Sequence, residues 1–126
     1  MKCSKPIYPQ LLMEIAAFAL IVGSVTLLWR NNLLLLLVAM AECAAALALW
    51  HERFDVSLFL IIGGLGSIAE AVFVHFGVWR YANPTLFGMP AWFPFAFGTT
   101  GLIGGRLART VSALWESASP SRPAAE

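Results

Sequence analysis

The chain reads as four long apolar stretches separated by short polar joints. The first runs from about Pro9 to Trp29, the second from Leu33 to Trp50, the third from Val56 to Trp79 and the fourth from Ala91 to Trp115. A helix needs about 20 predominantly apolar residues to cross a hydrocarbon core, and each stretch is of that order. Each also closes near a tryptophan, a side chain that favours the headgroup level. The joints are Arg30-Asn31-Asn32, the run His51 to Asp55, and a longer connection from Arg80 to Pro90. Helices joined by such short turns are expected to be antiparallel neighbours. The pattern predicts an all-α, polytopic membrane protein: one four-transmembrane-helix antiparallel bundle over residues 1–116, with helices at about 9–29, 33–50, 56–79 and 91–115. The Ser/Pro/Ala-rich residues 117–126 are expected to form a disordered cytoplasmic tail.

Composition agrees. Of 126 residues 60% are hydrophobic and only 12% charged, against about 25% charged in average soluble domains. Mean hydropathy is +0.77. A chain of this size has no second core in which to hide so much apolar surface, so lipid is the expected solvent and membrane lipid the first partner. Net charge is +1, which gives no reason to expect a nucleic-acid partner. Four crossings place Lys2, Lys5, Arg53, Arg106, Arg109 and Arg122 on one side and Arg30 and Arg80 on the other. The positive-inside rule then puts both termini in the cytoplasm and the chain in the cell (inner) membrane. Arg106 and Arg109, near the end of the fourth stretch, are expected to snorkel.

Cys3 and Cys43 lie at different levels of the first two stretches, so no disulfide is expected between them. No Cys/His spacing suits a metal, and no cofactor is expected. There is no phosphate-binding GxxxxGKS, GxSxG turn or HExxH. His51, Glu52, Arg53 and Asp55 read as a solvated turn. Gly101 and Gly105 form a small-xxx-small pair, suited to close packing within the chain or to a homodimer or larger membrane complex.

Three glutamates fall within three apolar stretches: Glu14, Glu42 and Glu70. A charge at bilayer depth costs from about 2.5 to more than 10 kcal/mol. Each carboxyl should therefore be protonated, paired, or turned toward water or a ligand. With a rise of about 1.5 Å per residue, Glu14 lies roughly 7 Å from the cytoplasmic edge, Glu42 near the midplane and Glu70 roughly 21 Å up. Glu14 and Glu42 are candidates for a proton relay. The plain alternative has each glutamate hydrogen-bonded to a Ser, Thr or backbone carbonyl, fixing helix packing.

The densest chemistry lies between residues 70 and 98. Glu70 and His75 lead into Phe76-Gly77-Val78-Trp79-Arg80-Tyr81, then Asn83-Pro84, Gly88-Met89-Pro90 and Trp92-Phe93-Pro94. Asn-Pro favours a turn, and Pro94 suits the first turn of a helix. Trp79, Tyr81 and Trp92 are expected in the outer aromatic belt. A carboxylate beneath an aromatic lid suits an amphipathic or long apolar ligand, with His75, Trp79, Arg80, Tyr81, Asn83 and Trp92 as binding candidates. The order Glu, Phe-Gly-x-Trp-x-Tyr, Gly-x-Pro and Trp-x-Pro resembles membrane carotenoid hydratases and the related small lycopene cyclases. That resemblance implies a helical membrane enzyme that protonates an isoprenoid double bond from a carboxylic acid, without redox chemistry. It makes Glu70 the candidate catalytic acid and lets Trp79, Tyr81 and Trp92 flank the polyene. Two other classes stay open. One is a small proton-coupled transporter, since Glu14 is similar in position to the glutamate of small multidrug exporters. The other is a non-catalytic membrane subunit or assembly factor.

Overall fold

The computed structural model describes residues 6–119 and is all-helical, with four helices. They are α1 (Ile7–Leu28), α2 (Asn32–Leu49), α3 (Arg53–His75) and α4 (Phe93–Ala118). Lys2, Cys3, Lys5, Arg122 and residues 120–126 lie outside the described residues. Ser117 and Ala118, expected in a disordered tail, instead extend α4. α1, α2 and α3 are long and apolar enough to cross a membrane. α4 is the longest helix, at 26 residues, but more polar, carrying Thr99, Thr100, Arg106, Arg109 and Glu116.

Local chemistry sets the helix ends. Asn31 caps α2, its side-chain oxygen accepting from the Leu34 N–H at 3.1 Å. Asp55 reaches back to accept from the Glu52 N–H at the start of α3, at 3.0 Å. α3 stops at His75, short of the expected Trp79. Gly77 adopts φ +73, its N–H donates to the Val74 carbonyl, and the Val78 N–H donates to the Phe73 carbonyl at 2.9 Å. This pair of bonds is a Schellman cap, which needs a residue tolerant of the left-handed region. Trp79 therefore stands in the loop. α4 opens with Pro94 in its first turn.

α4 packs against all three other helices, whereas α3 has extensive contact with α4 alone. The expectation that α2 and α3 would be neighbours fails because α4 reaches between their linked ends. Its Arg106 guanidinium lies 5.5 Å from the Trp50 ring centre and bonds to Asp55. The helix with most polar groups is thus the central one, and the three apolar helices keep their outer faces free. Exposed Leu12, Leu20, Leu27, Leu37, Leu60 and Leu65 mark those faces. The core gathers Ile21, Leu35, Ala39, Ala46, Trp50, Met89, Trp92, Phe93, Ala96, Leu102 and Ile103.

The α3–α4 seam is antiparallel and built on glycine. Gly105 meets Leu58, Gly101 meets Ile62, Gly98 meets Gly63, and Gly66 lies under Phe97. The Gly101/Gly105 pair is thus filled by α3 side chains of the same chain.

Candidate functional site

Polar side chains collect at the two ends of the fold. At the loop end, Glu70 projects from α3 toward the returning segment 76–92. The Trp79 indole N–H donates to Glu70 Oε2 at 2.9 Å, and the Tyr81 hydroxyl donates to the same oxygen at 2.8 Å. One carboxyl oxygen therefore accepts from two aromatic donors nine and eleven residues away, which fixes the start of the loop on α3. An oxygen used this way acts as an acceptor; a proton-donating role would fall to Oε1. Trp79 also meets Phe73 edge-on at 5.1 Å, and Tyr81 meets Phe93 edge-on at 6.0 Å.

Burial pushes the Tyr81 phenol well above its ordinary value of about 10; the Glu70 hydrogen bond and charge add to this, while the Trp79 hydrogen bond lowers it in part. The fold thus favours the neutral phenol. The stability it contributes is fully present below pH 10 and is lost as pH rises toward the higher folded value. Ultraviolet phenolate titration should show Tyr81 remaining protonated as pH passes 10. A phenolate signal near pH 10 that Tyr81→Phe removes would show the phenol open to solvent.

The other loop candidates separate. His75 is exposed and makes no hydrogen bond to Glu70; its ring meets Phe76 edge-on at 5.1 Å. It borders an apolar groove of about 560 Å³ with Ile68, Ala71, Val72, Val74, Phe76, Phe87 and Gly88. Val74 stands one helical turn after Glu70, but Glu70, Trp79 and Tyr81 do not themselves line the groove. The groove's far wall is a tight hairpin in which Leu86 and Met89 exchange backbone hydrogen bonds. Phe87 and Gly88 occupy its tip at φ +49 and +80. These angles suit a mirror-image hairpin turn, and a phenylalanine there is strained. Phe87 is nonetheless 80% exposed. Arg80 is exposed and lies outside this groove.

Asn83 binds the loop to the α1–α2 turn. Its amide donates to the Trp29 carbonyl at 3.1 Å, and its own carbonyl accepts from Asn32 at 2.6 Å. Trp92, expected in the aromatic belt, is buried at 8% exposure. It enters the core because it immediately precedes α4, the central helix. It borders a second apolar recess of about 310 Å³ between α1 and α4, and its indole N–H has no partner among the described residues.

Glu14 and Glu42 stay apart from Glu70 and from each other. Glu14 is fully buried; Oε1 accepts from Gln10 and from Thr110 of α4, each at 3.1 Å, and Oε2 has no partner among the described residues. Glu42 accepts from Ser24 of α1. Glu14 and Ser24 are ten residues apart on α1, about 15 Å along the axis, and no described hydrogen bond links the two carboxyls. Each makes the helix-to-helix bond to Ser or Thr of the plainer expectation.

The polar end holds a cluster the sequence reading passed over. Asp55, read as part of a solvated turn, is fully buried, and its Oδ2 receives Arg106 Nη2 at 2.5 Å. Arg106 does not snorkel: its side chain is 11% exposed, beneath Glu52 at 3.7 Å and over Trp50. Arg109 pairs with Glu52 at 3.4 Å and covers the Phe54 ring at 3.8 Å. The Glu52-x-x-Asp55 spacing at a helix start was a usable signal for the turn; the partner, 51 residues on, was not. Beside this cluster lies a recess of about 480 Å³ bordered by Gln10, Met13, Leu49, Trp50, His51, Glu52 and Arg106.

No group of three or more metal-ligating side chains occurs among the described residues. Compared with known protein families, curated proteins and solved structures, the chain matches none.

Proposed function

We propose that this chain is a membrane protein with four crossings and both termini in the cytoplasm, and that it binds an elongated apolar molecule of isoprenoid type at its outer, loop end. The supporting observation is the apolar groove between α3 and the Phe87 hairpin, on a loop whose start is anchored to α3 through Glu70. A carboxyl pinned by Trp79 and Tyr81 holds the loop on α3, and the loop carries the strained, exposed Phe87 that walls an otherwise apolar groove. Pockets of roughly 300–1,000 Å³ with apolar walls and few polar groups suit lipophilic ligands. In this reading Glu70, Trp79 and Tyr81 shape the site, and His75 offers a polar contact at its rim.

The test is extraction and mass spectrometry of small lipids retained by the purified chain in mild detergent, with Glu70→Gln and Ala71→Trp alongside. The expected outcome is a specific apolar compound in the wild type. Ala71→Trp, which fills the groove, should lose it, and Glu70→Gln should reduce it by about tenfold through weakening charge-assisted bonds to the loop. Equal retention in all three chains would remove the reading. Weight would then pass to proton-coupled transport through Glu14, whose buried Oε2, without a partner among the described residues, favours that alternative.

A further inference from the structure

The recess at the polar end is separate from the Glu70 region and has a divided chemistry. Arg106 is held from behind: Asp55 takes Nη2, and Trp50 stacks beneath the guanidinium. Its Nε is buried without a partner among the described residues, and Nη1 makes no hydrogen bond to them either. Nη1 is the donor pair that a recess bordered by Arg106 can use. A fixed guanidinium edge is the side-chain geometry that fits phosphate oxygens.

The rim also carries acceptors for a cation. Glu52 stands at the mouth, 3.7 Å from Arg106 and 3.4 Å from Arg109, with its side chain 67% exposed and so able to accept further hydrogen bonds. α2 ends at Leu49, so its last carbonyls and the negative end of its dipole fall beside the recess. Gln10 uses its amide N–H on Glu14, which leaves its amide oxygen as an acceptor. The third side is apolar. Met13 and Leu49 border the recess and are 44% and 59% exposed on the outer surfaces of α1 and α2. The polar hollow therefore opens beside apolar faces at the ends of two membrane-length helices.

We propose that this recess binds a phosphate ester bearing a primary amine, in the form of a phosphatidylethanolamine headgroup. The phosphate lies on Arg106 Nη1, and the ammonium lies among Glu52, the Gln10 amide oxygen and the α2 carboxyl end. The acyl chains descend over Met13 and Leu49. A choline headgroup offers no N–H to those acceptors, and a glycerol headgroup offers them no positive charge. The site depends on the chain lying in a membrane but not on Glu70 or the outer groove.

The full chain, purified in mild detergent and exchanged into mixed phosphatidylethanolamine, phosphatidylcholine and phosphatidylglycerol, tests this by native mass spectrometry of the lipids it retains. The expected result is enrichment of phosphatidylethanolamine by about tenfold, the scale of one charge-assisted hydrogen bond. Glu52→Gln should level the three lipids, and Met13→Trp, which fills the recess without touching an ion pair, should lower retention of all. Glu70→Gln should leave this preference unchanged, which separates the site from the outer groove. No headgroup preference in the wild type, or wild-type preference in Met13→Trp, would overturn the proposal. Displacement by soluble glycerophosphoethanolamine at the same concentration as the lipid would overturn its lipid part.

Discussion

Replacing Asp55 with alanine is expected to cost about 3–5 kcal/mol, the largest single effect in this chain. It leaves the nearly buried Arg106 without its only buried counter-charge among the described residues, the exposed Glu52 standing farther off at 3.7 Å. Asp55 has no exposure and Arg106 only 11%, so water is a poor replacement for the lost carboxylate. Arg106→Met should cost a similar amount by stranding Asp55. The double variant Asp55→Leu/Arg106→Met should recover much of the loss, since an apolar pair of similar bulk carries no desolvation penalty. Unfolding in detergent micelles, followed by circular dichroism, measures all three. If Asp55→Ala unfolds with the wild type, the pair is not sealed and the account of this end is wrong.

The second large effect belongs to the α3–α4 seam. A Cβ added at Gly98 would lie 2.9 Å from both the Phe59 ring and the Phe59 backbone oxygen, and one at Gly63 would lie 3.2 Å from the Gly98 Cα and the Pro94 oxygen. A ring can rotate, but a helix backbone cannot yield without parting the two helices. Gly98→Ala is therefore expected to destabilise by about 1–3 kcal/mol, the range for overpacked interiors. Gly104 supplies the control, since a Cβ there meets nothing within 4 Å. Gly104→Ala should be neutral or gain up to about 1 kcal/mol through helix propensity. Equal melting of the two variants would show that α3 and α4 are not held this closely.

The four helices were legible in the sequence because apolar runs of membrane length leave few other readings. Their ends were less so: Gly77 fell inside the third apolar stretch, and a helix reaching Trp79 satisfied that pattern, whereas the Schellman bonds end the helix at His75. Glu70, Trp79 and Tyr81 were legible as a group because they lie within twelve residues, although their mutual hydrogen bonds depended on how the loop folds back. Asp55 and Trp92 were misplaced for one common reason. Each stands at a joint, where sequence suggests exposure, and each is covered by or carried into α4. Position relative to a central helix is a tertiary property that no local pattern records. The Glu14–Thr110 and Glu42–Ser24 pairs were foreseen in kind but not in partner.

The central place of α4 has a consequence for biogenesis. It follows the other three in chain order and is the least apolar, while α1, α2 and α3 are each long and apolar enough to cross a membrane. Until α4 arrives, Asp55 lacks Arg106 and Glu14 lacks Thr110, so a nascent chain halted after α3 would hold uncompensated acids at the membrane. Arrival of α4, rather than insertion of any one of the first three helices, is then the step that pairs these acids.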